Sequence, residues 1–152
     1  MKYRLLILNL LLTLGGAGIV YLLIPDMKIT YEQLILPPFA PPAIAFPIIW
    51  TILYIGMAIA ATLVMSSSSD QRSLATLVYI RQLAVNFLWP VFFFYLKAYA
   101  FSFFWLLFLW FLIFYLLFLF YPIDPTAAYL MIPYLLWVSF ASVLNICIYY
   151  LN

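Results

Sequence analysis

The run YAFSFFWLLFLWFLIFYLLFLFY, from Tyr99 to Tyr121, contains no charged residue. A helix of that length crosses the hydrocarbon of a bilayer, and no water-facing surface can be built from it. Four further runs are long and apolar enough to do the same, at about Leu5 to Ile24, Ala43 to Met65, Leu74 to Leu96 and Ala127 to Leu151, with Arg81 the one charge within them. Their boundaries are Pro25-Asp26, the polar linker SSSSDQRS (Ser66 to Ser73), Lys97 and PIDP (Pro122 to Pro125). None alternates apolar and polar residues as barrel strands do. Only 7% of the chain is charged, against about 25% in soluble domains. The expected fold is therefore an all-α, five-helix membrane bundle, one domain over 1–152. The first run opens with Lys2 and Arg4 like a signal peptide, but its apolar stretch continues to Ile24 and reads as a retained span. The basic residues lean towards a cytoplasmic N-terminus, with Lys2, Arg4 and Arg72 on one side and Lys28 and Lys97 on the other.

What is missing narrows the chemistry. The chain has no histidine and one cysteine, Cys147, so no conventional metal site, haem-ligating imidazole or intrachain disulfide is expected. No Ser-His pairing or intramembrane carboxylate pair supports hydrolysis, and no acid lies within a span to couple ions or protons. Six basic residues against four acids are too few for a nucleic-acid surface.

Between the first two spans, YEQLILPPFAPPAIAFPIIW places five prolines from Pro37 to Pro47. Proline stiffens the chain into extended shape and removes donors that lipid could not satisfy. The connection also carries Ile29, Tyr31, Leu34, Ile35, Leu36 and Phe39, apolar residues that call for burial. An ordered lid over the bundle end is expected rather than a slack linker.

Helical spacing aligns the remaining polar and aromatic side chains. Gln82, Asn86, Trp89 and Phe93 step by four, three and four along the third span. Tyr134, Trp137, Ala141 and Asn145 share a face of the fifth, and Trp50 and Tyr54 are one turn apart on the second, where Pro47 bends the first turn. Facing inward, they would line an aromatic slot for a flat apolar ligand. The same residues also suit interhelical hydrogen bonds and plain core filling. Trp105, amid Phe103, Phe104 and Phe108, reads as lipid-facing. Gly56 with Ala60, and Gly15, Gly16 and Gly18, read as packing positions. Arg81 lies about two turns from the serine linker, to snorkel there or to pair with a carboxylate such as Asp124.

The motifs YEQLILPPFAPP, IIWTILY, QLAVNFLW and PYLLWVSFASVLN, in this order and spacing, resemble the TspO/MBR family of tryptophan-rich sensory and translocator proteins. The resemblance implies a five-helix bundle, commonly a homodimer, with a pocket roofed by the first loop. It implies a receptor for tetrapyrroles such as porphyrin or haem, held as ligand with no required cofactor or metal. Matching pocket positions are Tyr31, Trp50, Asn86, Trp89, Trp137 and Ala141, with Phe93 beside them. Light-dependent porphyrin breakdown occurs in some members, and Trp50 and Trp137 are the expected participants in such photochemistry. Carriage of a lipophile, or sensing through a partner protein, are the alternatives, and a bacterial cell membrane is the expected location. Departures from the family pattern fall at Thr30, Leu36, Phe39 and Ala43, and leave a less polar lid. Tyr149 and Tyr150 lack the basic residue that a sterol motif would place after them.

Overall fold

The computed structural model describes residues 2–152. Five helices among them are long and apolar enough to cross a membrane, and the chain is an all-α, multi-pass membrane bundle. The first span, Lys2–Leu23, joins α1 (Lys2–Leu10) to α2 (Gly16–Leu23) through a π-helical turn, Leu11–Gly15. A short helix, α3 (Met27–Gln33), follows in the lid; then come α4 (Ala45–Met65), α5 (Arg72–Pro90), α6 (Tyr99–Phe120) and α7 (Pro125–Leu151).

Local chemistry sets these ends. Pro90 has no N–H to offer the previous turn, and beyond it the helix loosens into a π-helical turn, Val91–Tyr95, with the Leu96 amide reaching back to Val91. Lys97 then takes a left-handed conformation, φ 52°, and the Ala98 amide closes onto the Phe92 carbonyl at 2.9 Å. That turn sends the chain back into α6. At the other end of α6, the Asp124 carboxylate accepts from the Thr126 and Ala127 amides at 2.9 and 3.3 Å. Pro125 stands at the first position of α7, so the last span starts two residues before its apolar pattern does.

Lipid is as apolar as leucine, so helix association rests on close packing and hydrogen bonds. On α6 the buried residues Ser102, Leu106, Leu109, Ile113, Leu116 and Phe120 repeat by four and three, a single seam towards α5 and α7. Ala58, Ala60 and Ala61 are buried on α4, and a methyl at Gly56 would lie 3.7 Å from the Leu130 carbonyl of α7. Interhelical hydrogen bonds cross-link the seams. Asn9 donates to Thr62 at 3.1 Å, and Trp110 to Ser139 at 2.7 Å.

Three sequence expectations change here. Trp105 does more than face lipid, because its indole N–H donates to the Val85 carbonyl at 2.7 Å and ties α6 to α5. Of the glycines in the first span, only Gly16 meets a close neighbour: a methyl there would fall 2.5 Å from the Phe87 ring, while Gly15 and Gly18 have open space. Arg81 forms no ion pair with Asp124; among the described residues the one salt bridge joins Lys28 to Glu32 in the lid. The first span is also the least embedded: 11% of its most apolar 18-residue stretch is buried, against 28–44% in the other four.

Candidate functional site

The connection after the first span is ordered and folds over one end of the bundle. Three of its proline carbonyls find donors. The Ala40 amide donates to Pro37, the Ala45 amide to Pro42, and the Tyr31 hydroxyl to Pro41 at 2.7 Å. Tyr31 is thereby pinned under the lid, only 4% exposed, and burial pushes its phenol above the ordinary range. A second tie holds the extended part of the lid. The Asn152 carboxamide accepts from the Ile35 amide and donates to the Ile35 carbonyl, both at 3.0 Å. In that pose the side chain does what a neighbouring β-strand would do.

Beneath the lid the aromatic rings form two adjoining groups. In the first, Tyr31 meets Phe46 edge-on with centroids 4.9 Å apart, and Phe46 meets Trp137 at 5.8 Å. Trp137 stands nearly perpendicular to Trp50 at 6.5 Å, and Trp50 stacks on Tyr54 at 5.4 Å. In the second, Trp89 stacks on Phe93 at 5.0 Å. Between the lid and this second group lies a cavity of about 20 Å³, lined by Tyr31, Phe46, Trp89, Phe93 and Ala141 among others. That is room for about one water molecule, whereas ligand pockets run to about 300–1,000 Å³. The slot is closed by its own side chains.

The polar groups near the slot divide sharply. Trp89 donates its indole N–H to Asn145 at 3.1 Å, and Asn145 is further held by Ser102 and the Tyr99 carbonyl. Asn86 lies one layer deeper and both ends of its amide are engaged. It accepts from the Tyr54 hydroxyl at 2.6 Å and donates to the Tyr134 hydroxyl at 2.7 Å; Tyr134 in turn donates to Gln82 at 2.8 Å. Trp137 differs: its indole N–H is buried and meets no acceptor among the described residues. A buried donor without a partner costs about 1–3 kcal/mol, so that N–H is the one polar feature in the slot still owed a contact.

Of the positions singled out from sequence, Tyr31, Trp89, Phe93 and Ala141 line the cavity. Trp50 and Trp137 form the adjoining wall, and Asn86 serves the interhelical network below. Phe46 was missed. It bridges the lid to Trp137, and its spacing of four residues from Trp50 was the available signal, masked by the prolines on either side. Phe140, packed on Trp137 at 5.4 Å and on Phe39 of the lid at 6.2 Å, was missed as well.

The sequence profile of the TspO/MBR family matches residues 7–151. The "Tryptophan-rich protein TspO" of Chlorobaculum tepidum is 33% identical over 149 residues, covering 97% of this chain and 94% of that protein. The "Tryptophan-rich sensory protein" of Cereibacter sphaeroides is 35% identical over 115 residues, 76% of this chain and 72% of its own length. The human "Translocator protein" is 29% identical over 122 residues, 78% and 72% of the two chains. A five-span bundle with an ordered proline-rich lid over paired indoles, and a profile match across nearly its whole length, make this chain a member of the TspO/MBR family.

Proposed function

We propose that this protein is a membrane receptor for a flat tetrapyrrole, porphyrin or haem, held between the lid and the rings of Trp50, Trp89 and Trp137. The observation that carries the reading is the buried, unpartnered N–H of Trp137 within an aromatic slot. Flat rings stack on indoles, and a carboxylate or carbonyl at the ligand's edge would satisfy that donor. With no histidine in the chain, stacking and apolar burial carry the affinity. The small cavity describes a closed state, so entry requires the lid to lift and Phe46 and Trp137 to part. Trp50 and Trp137, with Trp89, would then be the oxidisable rings beside a light-absorbing ligand. The near full-length match to the Chlorobaculum protein supports a bacterial cell membrane as the setting.

Carriage across the membrane has less support. Below Trp50 the bundle interior is filled by Tyr54, Asn86, Tyr134 and Gln82, joined by hydrogen bonds. A one-sided receptor needs no path through that layer.

The test is titration with protoporphyrin IX in the dark, read by tryptophan quenching, with Trp50→Phe and Trp137→Phe beside the parent. Saturable binding that weakens in both variants, and pigment loss on illumination of the parent complex, are the expected results. Uptake no greater than that of empty detergent micelles would overturn the tetrapyrrole assignment.

A further inference from the structure

Arg81 is the one charge set well within a span, nine residues along Arg72–Tyr95 and so about 13 Å from its start at 1.5 Å per residue. Neither the lid nor the slot uses it. Its side chain is exposed, on the side of α5 away from the interior face that carries Ala75, Val78, Gln82 and Asn86. All four acids of the chain lie outside the spans, at Asp26, Glu32, Asp70 and Asp124. None of them forms an ion pair with Arg81 among the described residues. A cation facing hydrocarbon without a counter-ion is unfavourable, so its retention there asks for a partner outside the chain.

The residues around it say what kind of partner. Leu74, Leu77, Arg81, Ala84 and Leu88 step by three, four, three and four. At about 100° per residue they fall within a stripe about 80° wide. All five are exposed, the leucines by 43–47%. This is the spacing with which one helix offers knobs to the holes of another. Ala84, one turn on from Arg81, leaves room for a neighbouring backbone to come close, as small residues do where membrane helices meet. A lipid tail needs neither the spacing nor the small side chain. A second copy of the chain suits the seam poorly, because a two-fold axis along the membrane normal would set Arg81 against its own equivalent at equal depth. One polar residue in an otherwise apolar heptad seam specifies register and partner, and a positive one selects a negative one.

We propose that this face of α5 docks a transmembrane helix of another protein that carries an aspartate or glutamate at the depth of Arg81. The two charges pair within the membrane while Leu74, Leu77 and Leu88 pack around them. The same span presents Trp89 and Phe93 to the slot, so the partner lies one helix away from the ligand.

The probe is a synthetic Leu-Ala helix of about 24 residues with one glutamate at its centre; glutamine and leucine versions are the controls. A central residue sits within about 4 Å of the level of Arg81 whichever way the peptide inserts. Each peptide carries an acceptor fluorophore and is reconstituted in phosphatidylcholine vesicles with the full chain, which carries a donor at its N-terminus; energy transfer reads association. The glutamate peptide should bind the parent about tenfold more tightly than the leucine peptide, with glutamine between them. Arg81→Leu should remove that preference, and Arg81→Glu should transfer it to a lysine peptide. Ala84→Phe keeps the charge but blocks close approach, and should weaken binding of the glutamate peptide. Unchanged thermal stability in detergent shows that each variant retains its fold. Equal binding of the three peptides, or a preference for glutamate that survives Arg81→Leu, would overturn the proposal. So would undiminished binding by Ala84→Phe, which means a bare charge contact that a lipid phosphate would serve equally. Self-association without peptide that is lost in Ala84→Phe would overturn it too, since the seam would then join copies of this chain.

Discussion

Replacing Asn152 by alanine should loosen the lid without disturbing the slot beneath it. The carboxamide makes two hydrogen bonds to Ile35, each 3.0 Å, at a site where water competes for both. Where water competes, such bonds sit at the low end of their usual range, about 0.5–1 kcal/mol apiece, so the pair holds the closed lid by about 1–2 kcal/mol. If entry waits on lid opening, the open fraction sets the association rate, which should rise about 5- to 30-fold in the variant. Dissociation should quicken by a similar factor, since the same latch closes over the bound ligand, and the Kd should move little. Stopped-flow mixing with protoporphyrin IX in the dark reads both rates, and hydrogen exchange at the Ile35 amide reports the latch itself. Lost protection at Ile35 with both rates unchanged within twofold would refute the reasoning, because entry would then not pass the lid.

Asn86→Ala should lower thermal stability in detergent by about 1–3 kcal/mol: it removes two interhelical hydrogen bonds and orphans the Tyr54 hydroxyl. Unchanged stability with abolished porphyrin binding would instead mark the amide as a ligand contact. Burial raises the Tyr31 phenol, and its proton makes the bond to Pro41. Lid closure is therefore fully supported below about pH 10, the ordinary phenol value, and is lost as pH climbs through the raised one. Porphyrin association should accelerate in that alkaline range, and Tyr31→Phe should make the rate independent of pH there.

The bundle was readable because lipid imposes one rule, that a span must be long, apolar and helical, and residues such as those from Tyr99 to Tyr121 obey it without ambiguity. PIDP was readable as a boundary, but not as the start of a helix that Asp124 caps and Pro125 opens. Nor were the roles of polar residues. Spacing put Asn86 and Trp89 on one face, yet a difference of three positions decides whether a side chain meets the slot or the layer below it. Periodicity fixes an angle around one helix and says nothing of which rings fill the space opposite. Trp105 misled for a related reason. A phenylalanine-rich helix has no polar side to show which way it faces, and the acceptor on Val85 is a backbone atom invisible to residue type. Likewise, no pattern in the sequence reveals that Asn152 folds back on a residue 117 positions away.

The unequal embedding of the spans has a mechanical consequence. One end of the lid is rooted in α4, a well-packed post whose most apolar 18-residue stretch is 44% buried; the other hangs from the first span, at 11% on the same measure. The first span packs on α4 along α1 and the π-helical turn, with Asn9 bonded to Thr62, and meets α5 where Gly16 lies beside Phe87, while most of its other side chains are exposed. Its tilt therefore answers to the thickness of the bilayer more readily than that of any other helix. A thinner or tenser membrane that tips it drags on the lid through Pro25 and α3, so the lipid phase itself becomes a hand on the door.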